Sequence, residues 1–241
     1  MPSADAAQLT SSGLFASMDP NLQQSLLKHA RHIQLPPSQV LYRRGDKPKG
    51  FYGLLSGEIQ LTASDSTGKQ LLFGTIEAGW WCGEIPALDG EPYAQTATAI
   101  VQSELLMIPL TEFDRVLSEH PELYRHFIRI LCRRIRLAGQ LLEESAFYDL
   151  TTRVASQLLR LCRLHRPDAT QHLQYSQAQI ADMLGITRQS LHRVLKNWQQ
   201  QGWIELSYAS IKIDRPDALR ALVQAREVSP NNARAHQRST V

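Results

Sequence analysis

Seven polar side chains fall within the ten residues "TRQSLHRVLK" (Thr187–Lys196): Thr187, Arg188, Gln189, Ser190, His192, Arg193 and Lys196. Their types fit one chemistry. An arginine fork pairs with guanine O6 and N7, and a glutamine amide pairs with adenine N6 and N7. Serine, lysine and the start of a helix suit phosphate oxygens instead. Leu191, Val194 and Leu195 recur among them at helical spacing, so the polar residues share the opposite side.

The residues just before explain how such a helix would be held. Ser176 followed by Gln179 is a capping-box pattern, predicting a helix from Gln177 with Ile180, Ala181 and Leu184 on its inner face. Ala181 is small where two helices would cross. Gly185 permits the left-handed backbone of a sharp helix end, Ile186 fills the corner, and Thr187 is placed to N-cap the second helix. The two helices form a helix-turn-helix, and "WIELSYASIKI" directly after them reads as a β-hairpin, a wing with the uncharged tip "SYAS". A solvated αα-corner would show the same local pattern, so charge is the discriminator. Residues 150–241 hold 13 Lys/Arg against 6 Asp/Glu, whereas residues 1–149 hold 13 against 17. The basic carboxyl third points to a polyanion, double-stranded DNA, as partner of that third alone.

Other chemistries find little support. No HExxH, GxSxG, P-loop or dinucleotide GxGxxG occurs, and no acid, base and nucleophile converge, so no enzyme is expected. Cys82, Cys132 and Cys162 are too scattered for a disulfide framework or a CxxC metal site and read as buried thiols. His29 and His32, expected on one helix, lack nearby carboxylate companions in the sequence, and no metal site is predicted. No apolar run approaches the ~18 residues that cross a bilayer, and the first residues lack a secretory pattern. The expectation is a cytoplasmic protein that does not engage membranes.

The elements that must position the polar helix can be read in outline. Residues 1–17 read as a loose arm, and Met18–Ile33 as a helix capped by Asp19. From about Val40 to Ile108 short apolar runs alternate with glycines, and "DSTGK" reads as a turn between strands, together a β-barrel or roll. "LTEFDRVLSEHP" returns to helix with Thr111 as candidate cap. A long helix follows, with Phe127, Leu131, Ile135, Ala138 and Leu142 at helical spacing. It can lie on the roll, but its length favours pairing with a second copy. A hinge is placed at Phe147–Leu150, then an amphipathic helix, a loop "RPDATQHL", the helix-turn-helix, the wing and a last helix. The fold class is α+β. Its parts are an arm 1–17, a jelly-roll-like sensor domain 18–118, a dimerisation helix 119–146, a winged helix-turn-helix domain 147–228 and a tail 229–241 of disordered composition.

This order of parts, with the motifs "SQAQIADMLGITRQSLHRVLKNWQQQGWI", "RRGDKPKGFYGLLSGEIQL" and "GEIPALDGEP", resembles the Crp/Fnr family of bacterial transcription regulators over residues 15–225. The resemblance implies a homodimer on a two-fold-symmetric operator, an allosteric small-molecule effector in the roll, and RNA polymerase as protein partner. It implies base contacts from Arg188, Gln189 and Arg193. Where many members have Glu, Gln189 stands, and it prefers adenine to cytosine.

The effector pocket departs from the cyclic-nucleotide pattern. Gly83-Glu84 resembles the family's ribose-binding pair, but "PYAQTATA" stands where an Arg and a Ser or Thr would hold the phosphate. No Lys or Arg occurs between Lys69 and Arg115, while that interval carries Glu77, Glu84, Asp89, Glu91, Glu104, Glu112 and Asp114. Burying a phosphate without a cation costs several kcal/mol. Glu84 is therefore expected to be a structural remnant of the roll that bonds backbone amides, and no cyclic nucleotide is expected unless Arg133, Arg134 or Arg136 of the long helix reaches in. Trp80, Trp81, Cys82, Gly83, Glu84, Tyr93, Gln95 and Thr96 remain as a pocket for another effector, of apolar or aromatic kind. The arm lacks the cysteines of an iron–sulfur cluster, and Cys82 lacks the histidine that haem ligation would need. The rival reading is a cyclic-nucleotide- or haem-binding sensor module that acts through a protein partner.

Overall fold

The computed structural model describes Leu9 and residues 15–66, 70–165, 172–207 and 209–227. The expected turn "DSTGK", the loop after His165, the wing tip and the tail fall wholly or partly outside them. The chain divides into two compact units, residues 1–137 and 138–241.

In the first unit, helix α1 (Pro20–Leu27) starts at Asp19, whose Oδ1 accepts from the Asn21 amide at 2.8 Å. It ends earlier than the sequence predicts. Arg31–Leu35 is strand β1, zipped antiparallel to β8 (Ser103–Pro109) from Arg31↔Met107 to Leu35↔Ser103. That pairing, some 70 residues distant, overrides the helical look of "KHARHI". His29 and His32 consequently do not share a helix. His29 Nε2 lies 3.8 Å from Glu112 and His32 Nε2 3.3 Å from Glu104, so both have the carboxylate neighbours that the sequence does not suggest.

The roll is two four-stranded antiparallel sheets. One has the order β1-β8-β3-β6, with β3 at Gly50–Ser56 and β6 at Trp81–Cys82. The other has the order β2-β7-β4-β5, from β2 (Val40–Tyr42), β4 (Glu58–Ser64), β5 (Gln70–Glu77) and β7 (Thr96–Ala99). Between them lie Leu35, Tyr42, Tyr52, Leu54, Ile59, Cys82, Tyr93 and Leu105. A short helix α2 (Glu84–Asp89), absent from the sequence reading, follows β6.

A second core forms where helices lie on the roll. Helix α3 (Leu110–Glu119) buries Phe113, Val116 and Leu117 against Phe51 and Trp81. It starts after Pro109 rather than at Thr111, which lies inside its first turn. Leu9 and Phe15, read from sequence as part of a loose arm, are fully buried in this core. The reason is aromatic: Phe15 stacks on one face of Trp81 at 4.5 Å between centroids, and Phe51 on Trp81 at 4.7 Å.

Helix α4 (Leu123–Phe147) runs for 25 residues. Leu123 and Phe127 are buried and Ile130 packs beside them. Phe127 therefore does not belong with Leu131, Ile135 and Leu142, as its spacing suggests. The exposed apolar series is instead Tyr124, Ile128, Ile135 and Leu142, with Ile135 70% and Leu142 72% accessible. Adding Leu131 and Ala138 makes the spacing alternate four and three, a heptad seam. No helix among the described residues is long and apolar enough to cross a membrane.

In the second unit Asp149 caps helix α5 (Leu150–His165), its Oδ1 accepting from the Thr152 amide at 2.8 Å. Arg160 of α5 returns to Glu144 through Nη2 at 3.0 Å, both side chains largely covered. Val154, Ala155, Leu158 and Leu161 feed a core shared with helices α6 (Gln177–Leu184), α7 (Arg188–Gln200) and α8 (Pro216–Glu227) and a three-stranded sheet. That sheet has the order β10-β11-β9, from β9 (His172–Leu173), β10 (Ile204–Ser207) and β11 (Ser210–Ile213).

Candidate nucleic-acid interface and roll site

The helix-turn-helix is fixed at both helix starts and at the corner. Ser176 Oγ accepts from the Gln179 amide at 3.2 Å, while Gln179 Oε1 accepts from the Ser176 amide at 2.9 Å, closing the capping box. Gly185 stands at φ 65°, in the left-handed region, where the Ile186 amide can donate back to Ala181 O at 3.0 Å. Thr187 Oγ1 accepts from the Ser190 amide at 3.1 Å and starts α7. Arg153 of α5 adds a tie that the sequence does not announce: its Nη2 donates 2.8 Å to Leu184 O, satisfying a carbonyl left open at the end of α6.

With these ends pinned, α7 buries Leu191, Leu195 and Trp198. Trp198, stacked on Trp203 at 6.2 Å, is an anchor that the sequence reading leaves out. Arg188, Gln189, His192, Arg193 and Lys196 are all exposed. Ser190 is half-buried and its Oγ accepts from Thr187 Oγ1 at 2.9 Å, so Thr187 and Ser190 bond to each other. His192 Nδ1 lies 3.1 Å from Gln177 Oε1, which orients the ring from the neighbouring helix. On the wing, Lys212 is held by Asp214 at 2.9 Å and Glu205 at 3.3 Å, and these carboxylates offset its charge.

The roll residues separate into two groups. Trp81 belongs to the core beside the helices, its Nε1 reaching Leu9 O at 3.5 Å, and Trp80 next to it is 48% exposed. Cys82 and Tyr93 lie on the other side, between the sheets, with Tyr42 and Tyr52. Tyr93 stacks on Tyr42 at 3.7 Å, donates to Gly50 O at 3.3 Å and accepts from the Lys49 amide at 3.4 Å. Burial raises all three phenol pKa values, and it pushes the Cys82 thiol up to about 12, helped by the Glu84 carboxylate. In the chain alone such a thiol stays protonated. Gln95 and Thr96 are half-buried, and Thr96 Oγ1 accepts from the Arg44 amide at 3.0 Å.

Glu84 corrects the sequence reading. Gly83, at φ 84° and with Tyr52 3.3 Å from where a Cβ would stand, turns the chain so that Glu84 opens α2 with its side chain only 4% exposed. Its charged partner is the guanidinium of Arg134 on α4, which meets Oε1, and the one backbone amide that bonds the carboxylate is its own. Burial raises the carboxyl pKa, and the Arg134 charge opposes that rise. Among the described residues no group of three metal-ligating side chains occurs.

Capped paired helices with an outward basic face, beside a sheet-paired hairpin, define a DNA-binding transcription regulator carrying an effector-binding domain. Residues 32–120 match the model of the cyclic nucleotide-binding domain, and residues 152–222 match that of the Crp-like helix-turn-helix domain. The chain belongs to the Crp/Fnr family and is not an enzyme. It is 24% identical over 215 residues to a CRP-like cAMP-activated global transcriptional regulator of Mycobacterium tuberculosis, covering 88% of this chain and 96% of that one. The cAMP-activated regulator CRP of Pasteurella multocida is 26% identical over 77% of this chain and 90% of its own. Among solved structures, the c-di-GMP-responsive global regulator CLP of Xanthomonas campestris superposes with a TM-score of 0.70 at 21% identity. It covers 81% of this chain and 99% of that one. A Crp/Fnr-family regulator of Thermus thermophilus gives 0.66 at 22% identity, covering 81% and 100%.

Proposed function

We propose that the chain acts as a homodimer that reads a two-fold-symmetric operator with α7 in the major groove. Arg188, Gln189 and Arg193 contact base edges, Lys196 and the α7 start contact phosphate, and RNA polymerase is the protein partner. The observation that carries this reading is the polarity of α7. Leu191, Leu195 and Trp198 are buried on one side, and every cationic side chain of its first nine residues is exposed on the other. The heptad seam Tyr124–Leu142 is the surface on which two copies meet, and its burial in a dimer accounts for apolar side chains that one chain leaves in water.

The roll then biases the orientation of the DNA-binding unit through α4 and the break at Tyr148–Asp149. The Mycobacterium and Pasteurella relatives are cAMP-activated and the Xanthomonas regulator is c-di-GMP-responsive, but three features of this roll argue against a cyclic nucleotide. No lysine or arginine lies between Gln70 and Asp114 to meet its phosphate. The Glu84 carboxylate is engaged by Arg134, and Tyr93 is packed onto Tyr42 in the interior. Trp80, Gln95 and Thr96 are the accessible or half-accessible members of the effector set.

Selection from a random duplex library followed by footprinting tests the reading. A palindrome whose halves are centred about 34 Å apart, one DNA turn, is expected. Protection of a single asymmetric half-site by a monomer contradicts it.

A further inference from the structure

Two stripes run side by side along α4. Leu123, Phe127, Ile130 and Arg134 form the first, at steps of four, three and four: two residues buried, a third packed on the same core, and Arg134 closing the series on Glu84. Tyr124, Ile128, Leu131 and Ile135 form the second, one residue further on, with Tyr124, Ile128 and Ile135 exposed. One residue is a rotation of about 100°. Seating Arg134 on Glu84 therefore also sets the direction in which the apolar seam points. Beyond Arg134 the same stripe continues through Leu137 and Leu141, both more than 40% exposed.

The anchor is built for directionality. The carboxylate is held in the interior by the left-handed turn at Gly83, next to Cys82 and Tyr42. One guanidinium nitrogen meets one carboxylate oxygen, and this charged contact, unlike an apolar one, is lost when the helix turns. Stripping its partner from a buried carboxylate is costly, which holds the helix in this rotation. The interior beside the pair is occupied by the stacked Tyr42 and Tyr93 and by Tyr52.

We propose that the Glu84–Arg134 pair fastens the long helix to the roll in one rotation without a bound ligand, so that DNA binding by the chain depends on this internal tie and not on an added small molecule. The inference rests on the DNA-binding reading above and deepens it. Arg134 is a positioning residue, acting on DNA through the helix it fixes and touching none itself.

The test uses the full-length chain, dialysed and free of nucleotide absorbance, against the best duplex from the selection. Wild type is expected to bind without any small molecule. Glu84→Gln removes the charge but not the shape, and should weaken operator binding about tenfold by shifting the population away from the competent state. Amide exchange over residues 131–147 should quicken with it. Because a single variant can act through folding, Glu84→Leu/Arg134→Leu restores an apolar fit without the directional tie. It should unfold near the wild-type temperature yet bind DNA as weakly as Glu84→Gln. Wild-type affinity in both variants overturns the proposal. So does a wild type that binds only after a cell extract or cyclic AMP is added, which leaves the DNA-binding reading standing. A wild type that ignores every duplex at low salt, supplemented or not, overturns both.

Discussion

The recognition helix and the roll site use similar residues to opposite ends. On α7 the arginines stand in water on the side opposite a buried apolar face, and the backbone around them is locked by caps. In the roll a carboxylate and a guanidinium meet each other, and the phenols and thiol beside them are buried and bonded within the chain. A surface for a polyanion must leave its donors unspent, because their partners arrive from outside. An interior that has satisfied its own polar groups has less to offer a ligand. On the reading proposed above, the difference gives outward recognition to α7 and inward fastening to the roll.

The comparison can be broken in several places, most heavily at the seam that both regions depend on. Ile135→Lys places a charge at the centre of the proposed dimer interface, where burial costs several kcal/mol. We expect the dimer to loosen by ~10²-fold or more, read by sedimentation, with operator binding falling alongside; an unchanged dimer would remove the seam. Next is Arg188→Ala, expected to cost ~1–3 kcal/mol of operator affinity and to relax preference at one base pair, measured by competition binding against single-substituted duplexes. Equal loss on random DNA would reduce Arg188 to a phosphate contact. Thr187→Ala deletes the cap of α7 and should lower unfolding stability of the DNA-binding unit by about 1 kcal/mol, visible as a shifted denaturant midpoint. Smallest is Lys196→Ala. It should weaken all duplexes alike and reduce the slope of log affinity against log salt by about one. A sequence-dependent effect would move Lys196 among the base readers.

What the sequence shows of these regions follows the distance over which their interactions act. Ser176, Gln179, Gly185 and Thr187 each act on partners no more than five residues away, so the helix-turn-helix is legible almost to the residue. "KHARHI" has helical spacing, but its last three residues, Arg31–Ile33, enter β1 because their partner strand comes from Ser103–Pro109. Glu84 and Arg134 are fifty residues apart, and no periodicity connects them. The long helix deceives more subtly. Its two apolar stripes lie one residue apart, so Phe127 blends into a series that it does not share. Trp198 and Arg153 escape notice for a simpler reason: each supports the site from behind, where no motif requires a particular residue type.

The aromatic stack on Trp81 has a practical corollary for anyone trimming this chain. Leu9 and Phe15 precede the first helix, and a tidy amino-terminal cut at Met18 looks harmless on paper. It would uncover one face of the Trp81 indole and take two fully sequestered side chains out of the layer beneath α3 and α4. The opening residues thus act as a cork for the sensor half, and a shortened version should emit redder light from that indole and melt earlier than the intact chain.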